Sequence, residues 1–284
     1  MSIPSDLLTE FVARYPAQPA TAFLRSIEIR RFAEAIRPEG IGLDLGCGDG
    51  ILTDILFREA GVTPRLVGVD IDPLETAAAA KYDFYERIHT VPAQTIPEPD
   101  ASFDYIISNS VLEHIPDLEG VIAEVGRLLK PGGHFWFTVP GPGFRANLFG
   151  SIIPGASREA YLAEVDKRLA HFHYLSEMDW NEICGRYGLA VDNIDGYLDR
   201  GETRRWESLS RMTGGLLHSL TGGRSRPIEI QRRLKLRDLQ NRAPMPRMVA
   251  AALAKVIAAG VRPDAVKAPP SCLLVTGRRP LLHS

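Results

Sequence analysis

The chain has 284 residues, with 33 Lys and Arg against 35 Asp and Glu, a formal charge of −2. That balance excludes a bulk electrostatic bias toward nucleic acid or membrane, and the length implies one large domain or a core with additions. Three cysteines, Cys47, Cys184 and Cys272, are odd in number and far apart, which argues against disulfides or a zinc site and for a reducing compartment.

The opening "MSIPSDLLTEFVARYP" has no basic start and no long apolar run, so it does not read as a signal peptide. No apolar stretch approaches the ~20 residues needed to cross a bilayer. A soluble, cytoplasmic protein is expected. Residues 22–36 place Ile29, Phe32, Ala33 and Ile36 at helical spacing before Pro38 and Gly40, and residues 1–40 read as a helical cap. "IGLDL" (41–45) reads as a buried strand, followed by a Gly-rich turn and a helix from near Asp49, its candidate cap, to Ala60. Strand "RLVGVDI" (65–71) and helix 73–81 follow, with Pro73 in the first helical turn. A strand over 102–110, a helix over 117–133 and a strand over 134–139 continue the alternation. The spacing predicts an α/β fold with a mostly parallel sheet covered on both faces, the core running over 41–198.

After Pro140 the rhythm breaks. Residues 140–155 read as an irregular loop, 157–170 as a helix, and Ser176 as the cap of a helix ending at Gly188. Residues 189–198 and 271–278 are the last candidate strands, and 199–270 reads as a basic helical insertion or lid between them.

The turn "GLDLGCGDGI" (42–51) sets the chemistry. Gly46, Gly48 and Gly50 allow close backbone approach to a ligand beyond the carboxyl end of a strand. A dinucleotide fingerprint would want its third glycine at position 51, where Ile51 stands, and Asp44 and Asp49 would repel a pyrophosphate. A cation reverses that sign, and S-adenosylmethionine carries both a sulfonium and an ammonium. Asp70, 20 residues after Gly50, is placed to accept two ribose hydroxyls, although Asp70 and Asp72 could instead cap the next helix.

"LDLGCGDG", "GVDIDP", "SFDYIISNSVLEHIPD" and "GRLLKPGGHFWFTVP", in this order and spacing, resemble the class I S-adenosylmethionine-dependent methyltransferases. The resemblance is close over 41–139, weak over 171–198 and 271–279, and absent elsewhere. It implies a Rossmann-like seven-stranded sheet whose last strand, 271–278, runs antiparallel. It also implies that Asp44 lies near the cofactor amino group, that Gly46, Cys47 and Gly48 line the methionine portion, with Gly50 also in the cofactor site, and that Asp70 holds the ribose. Ile71 would pack on the adenine. Pro92 stands where relatives place an adenine-facing acid, which passes that contact to Gln94 or Thr95. Asn109 and Ser110 would face the methyl-donor crevice.

Methyl transfer from a sulfonium chiefly needs alignment and water exclusion, with a base only for a protonated acceptor such as a hydroxyl. His114, His171, His173 and Tyr174 are the candidates, with a structural place at a strand-to-helix junction as the competing role for His114 and a wall of the acceptor pocket as that for the "HFHY" group. His171 and His173 have no nearby Cys, Asp or Glu in sequence to complete a metal site, so no metal is expected. Cys184 and Cys272 read as buried, inert thiols.

Residues 200–247 hold twelve Arg or Lys and four Asp or Glu, among them Arg232, Arg233 and Lys235. A basic lid would suit an anionic or lipid-linked acceptor, and the apolar stretch 248–261 beside it would suit peripheral membrane contact; the alternative is a solvated helical face that covers the sheet or forms a dimer contact. Nucleic acid is disfavoured, since Trp206 is the only stacking platform there. The expected function is methyl transfer to a small or lipid- or sugar-linked acceptor, at oxygen. An RNA or protein methyltransferase, or a lapsed cofactor-binding module, is the alternative.

Overall fold

A computed structural model describes residues 3–152, 154–212, 245–261 and 268–281. The chain divides into a sheet unit, Arg31–Gly141, Phe172–Gly196 and Cys272–Ser284, and a helical unit made of the remaining segments.

The sheet unit holds seven strands: β1 Ile41–Leu45, β2 Arg65–Asp70, β3 Tyr85–Thr90, β4 Phe103–Asn109, β5 Leu129–Pro140, β6 Ala190–Tyr197 and β7 Cys272–Arg278. Their spatial order is β3-β2-β1-β4-β5-β7-β6. Strands β1 to β5 pair in parallel, and β7 runs antiparallel to β5 with Val275 opposite Phe137. The Rossmann-like arrangement expected from the sequence is therefore present. Helices α3 (Ile51–Ala60), α4 (Pro73–Ala79), α5 (Leu118–Leu128) and α8 (Glu177–Arg186) follow their strands. Leu43, Val67, Ile106, Phe137 and Val275 share one core with Val121, Ile122 and Val125 of α5 and Trp180, Ile183 and Cys184 of α8. Chain order moves outward from β1 through β2 to β3 on one side and from β4 to β5 on the other, where β7 then inserts between β5 and β6. The carboxyl ends of β1 and β4 therefore form the switch point where open α/β sheets hold ligands.

Helix α5 stops at Leu128, five residues before the expected end at Gly133, and Lys130–Gly133 belong to β5. Leu129 pairs with Phe103 and His134 with Tyr105, so the extra residues bulge opposite Asp104. Lys130 Nζ reaches Asp104 Oδ1 at 2.7 Å, and a Cβ on Gly133 would lie 2.8 Å from the Asp104 carbonyl. Pairing with β4 overrides the helical apolar period at this point. Strand β3 was not legible in "YERIHT", where charged and polar residues interrupt the alternation.

The helical unit contains α1 (Ser5–Arg14), the start of α2 (Pro19–Ala35), α6 (Pro142–Asn147), α7 (Arg158–Leu169), α9 (Arg200–Ser210) and α10 (Arg247–Ala258). Helix α1 lies within the stretch read as a helical cap, whereas α6 was not expected and occupies part of the stretch read as an irregular loop. Glu207, buried on α9, accepts from the Phe149 N–H at 2.7 Å and the Tyr161 hydroxyl at 2.6 Å. That carboxylate fastens the chain after α6 to α7 and α9. Trp206 is 5% exposed and packs edge-on to Phe144, so it offers no stacking surface to a nucleic acid. Arg232, Arg233 and Lys235 of the basic stretch lie outside the described residues. Among the described residues, no helix is long and apolar enough to cross a membrane.

Candidate active site

The turn after β1 is hooked to the end of β2 by two bonds to one acceptor. Both the Gly46 and the Cys47 N–H donate to the Val69 carbonyl, at 2.7 and 2.9 Å. Gly46, Gly48 and Gly50 have φ of +82°, +52° and +77°, a region in which side chains are strained. A Cβ on Gly46 would meet Val111 Cγ2 at 2.3 Å, and one on Gly50 would meet Tyr82 Cδ2 at 2.6 Å. One on Gly48 would meet nothing within 4 Å. Of the three, Gly48 is the glycine whose side-chain direction opens onto free space, as a ligand cradle requires. Gly50, in the left-handed conformation, is the N-cap of α3, and Asp49 contributes by accepting the Ile51 N–H at 3.1 Å.

Asp70 is fixed from both sides. Its Oδ2 accepts the Gly48 N–H at 3.0 Å, and its Oδ1 accepts the Asp72 N–H at 2.9 Å. Each oxygen retains acceptor capacity for a further partner. The capping expected of Asp72 is also present, through the Leu74 N–H at 2.9 Å. Ile71, next in the chain, is 71% exposed.

Asp44 is buried in β1 and accepts from Thr53 Oγ1 at 2.6 Å and the Tyr85 hydroxyl at 2.5 Å. Burial pushes its carboxyl up to about 6; the two hydrogen bonds pull it back, and the charge of Asp70 adds to the rise. Burial, reinforced by the Asp44 charge, also drives the Cys47 thiol far above its ordinary value, so it is a neutral wall rather than a nucleophile. Thr53 and Tyr85 are partners that sequence reasoning missed: Thr53 lies inside a helix and Tyr85 in an unassigned strand. Asp44, Asp49 and Asp70 thus fringe a glycine cradle with carboxylates. That set fits a cationic ligand and opposes a pyrophosphate.

At the end of β4, Asn109 pairs with Thr138 of β5. Ser110 has φ +48°, rare for a non-glycine residue, and its N–H donates to the carbonyl and the Oγ1 of Thr138 at 2.9 and 3.1 Å. Gln94 Nε2 lies 3.4 Å from the Asp117 carbonyl, while Thr95 is exposed and its N–H donates to the Pro92 carbonyl. His114 follows on a 3-10 turn, Leu112–His114, with Nε2 3.8 Å from Oε1 of the buried Glu113. His173 Nε2 lies 2.9 Å from the Ile115 carbonyl, and Tyr174 is partly buried beside it in sequence. The structure therefore brings His114, His173 and the end of β4 into one unit. His171 belongs to the helical unit, where its ring sits 5.7 Å from Phe144.

Residues 21–194 match a family model described as a methyltransferase domain. A ubiquinone biosynthesis O-methyltransferase of Nitrosococcus oceani is 30% identical over 170 residues, 58% of this chain and 69% of that protein. One of the same name from Vibrio atlanticus is 32% identical over 118 residues, 39% of this chain and 47% of that protein. The second match thus spans less than half of its relative. The fold also resembles geranyl diphosphate C-methyltransferase of Streptomyces coelicolor A3(2), with TM-score 0.55 and 13% identity over 93% of this chain and 83% of that one. That structure was solved with Mg2+, geranyl diphosphate and S-adenosyl-L-homocysteine. With the glycine cradle, its carboxylate fringe and the sheet order in agreement with these matches, the chain belongs to the class I S-adenosylmethionine-dependent methyltransferases.

Proposed function

We propose that the enzyme methylates a hydroxyl oxygen on a small acceptor that is lipid- or sugar-linked, with His114 as the general base. The observation that carries this reading is the Glu113–His114 pair, an imidazole on a turn just past β4 with a buried carboxylate 3.8 Å from its Nε2. A carboxylate beside an imidazole orients the ring and stabilises its protonated form after it has taken a hydroxyl proton. The O-methyltransferase names of the relatives support the choice of oxygen. By the same likeness, the first acceptor to try is a hydroxylated, prenylated quinol.

Bound S-adenosylmethionine supplies a methyl group made electrophilic by its sulfonium. Asp44 and Asp49 offset the ligand's positive charge, and Gly46, Cys47, Gly48 and Gly50 line its methionine portion. Asp70 accepts the ribose hydroxyls. Ile71 covers the adenine, and Gln94 and Thr95 meet its edge. Asn109 and Ser110 border the methyl group, and His173 and Tyr174 wall the acceptor. His171 takes no part in this reading.

The test is transfer of label from methyl-labelled S-adenosylmethionine. Purified protein is offered a hydroxylated quinol with a prenyl tail, a sugar-linked phenol, total RNA and total protein. Label in the organic-extractable methyl ether supports the reading. Label confined to RNA or protein overturns it.

A further inference from the structure

Between β3 and β4 the chain runs from Val91 to Asp100 without helix or strand, from the carboxyl end of β3 to the amino end of β4. Segments of this kind take their position from whatever satisfies their backbone groups. Here one end is tied to the ribose acid, since the Val91 N–H donates to the Asp70 carbonyl at 3.1 Å. The other end is fixed at Ile96. Its side chain is buried in the core, its N–H donates to Glu124 Oε1 at 2.8 Å, and its carbonyl accepts from Arg127 Nη2 at 3.0 Å. The same guanidinium donates to both Glu124 oxygens at 2.7 Å, to the Glu98 carbonyl at 2.8 Å and to Asp100 Oδ1 at 2.8 Å. Glu98, itself buried, accepts from Arg87 at 2.6 and 2.7 Å and meets His89 Nε2 at 2.7 Å.

Four residues, Pro92 to Thr95, are therefore slung between Asp70 and the α5 clamp. They contain no charged side chain, and Pro92 has no N–H to offer. The Thr95 N–H is spent on the Pro92 carbonyl, so discrimination among nucleobases falls to the backbone of Ala93 and Gln94, the Thr95 carbonyl and two neutral side chains. Hydrogen bonds of that kind lose their value quickly when the donor or acceptor is displaced. We infer that Arg127 and Glu124 are positioning residues for the nucleobase end of the cofactor, setting the register of segment 92–95 and with it the preference for adenine. This rests on the reading that the segment faces adenine. A planar five-donor fork is needed to satisfy Ile96, Glu98, Asp100 and Glu124 together, and an ammonium cannot replace it.

The test uses calorimetry with S-adenosylhomocysteine and its 6-oxo analogue, S-inosylhomocysteine, on wild type, Arg127→Gln, Arg127→Lys and Asp70→Ala. Wild type favours the adenine ligand. Arg127→Gln loses about tenfold on that ligand and less on the analogue, so the preference narrows, with Arg127→Lys in between. Asp70→Ala weakens both ligands alike. An Arg127 variant that keeps the wild-type preference, or loses both ligands equally, overturns the assignment. Should Arg127→Gln not fold, Arg127→Lys carries the measurement alone. Amide spectra of wild type separate the two layers: shifts at Ala93, Gln94 and Thr95 on adding S-adenosylhomocysteine show that the segment meets the ligand. Their absence would sink the adenine reading itself, whatever the variants do.

Discussion

Asp70 Oδ2 holds the Gly48 N–H at 3.0 Å across 22 positions of sequence, so the acid after β2 and the turn after β1 form one prebuilt cradle. Removing the carboxylate should therefore act twice, by loosening the turn and by deleting acceptors for the cofactor. Asp70→Ala is expected to weaken S-adenosylmethionine binding by about 1.5–3 kcal/mol, the range for hydrogen bonds to a charged group. Asp70→Asn, which keeps one oxygen but loses the charge, should fall between. Isothermal calorimetry decides the point, and unchanged affinity in Asp70→Ala removes the residue from the site.

Asp44 makes cofactor binding and stability depend on pH in opposite senses. Its folded carboxyl lies at about 6, above the unfolded value near 4, because burial disfavours the charge. The folded chain thus holds more protons between these values. The contribution of this group to stability is complete below the unfolded value and is lost as pH rises through 6, a change of about 3 kcal/mol. Asp44→Asn can keep its oxygen against Thr53 and Tyr85 without a charge. Its melting temperature should gain on wild type as the buffer moves from pH 5 to pH 7. Binding runs the other way: a cationic ligand needs the ionised carboxyl, so wild-type affinity should fall about tenfold per pH unit below 6. A flat binding profile from pH 5 to pH 8, with the melting-temperature gap constant, would refute this role for Asp44.

The order of elements around the site was legible because Gly46, Gly48 and Gly50 sit at fixed distances from Asp44 and Asp70, and short-range spacing encodes a turn. What supports the site was not legible. Tyr85 reaches Asp44 across 41 positions and Arg127 reaches Ile96 across 31, and neither contact leaves a local pattern. Strand β3 was missed for a related reason, since Arg87 and His89 point polar groups at Glu98 where an alternating strand would show an apolar face. The α5 boundary was misplaced because the Lys130–Gly133 bulge is dictated by Asp104 on another strand. Local chemistry announced the cradle; long-range pairing built its frame.

The glycines of the turn should separate by function. Gly48→Ala meets no atom within 4 Å but keeps φ +52°, so its stability cost should stay at about 1–2 kcal/mol. Its methyl group would enter the space left for the ligand, so affinity should collapse in a protein that still melts cooperatively. Gly46→Ala collides with Val111 and should cost about 2–4 kcal/mol, with partial recovery in Gly46→Ala, Val111→Ala. Thermal melts paired with calorimetry would expose the contrast. If Gly48→Ala bound S-adenosylmethionine as wild type does, the cradle would lie elsewhere.

His114 is the residue on which the proposed chemistry turns. With an acceptor whose hydroxyl is protonated at neutral pH, kcat/KM should rise with pH through the imidazole range, because only the neutral ring can take the proton. His114→Ala should lower kcat by about 10²–10⁴-fold and abolish that limb. Glu113→Gln should lower kcat less than His114→Ala does, since the ring remains and only the carboxylate 3.8 Å from His114 Nε2 is neutralised. An acceptor phenol acidic enough to arrive ionised needs no base, so His114→Ala should methylate it at close to the wild-type rate. A loss on the acidic phenol as large as on the ordinary acceptor would assign His114 to the shape of the pocket instead of to proton transfer.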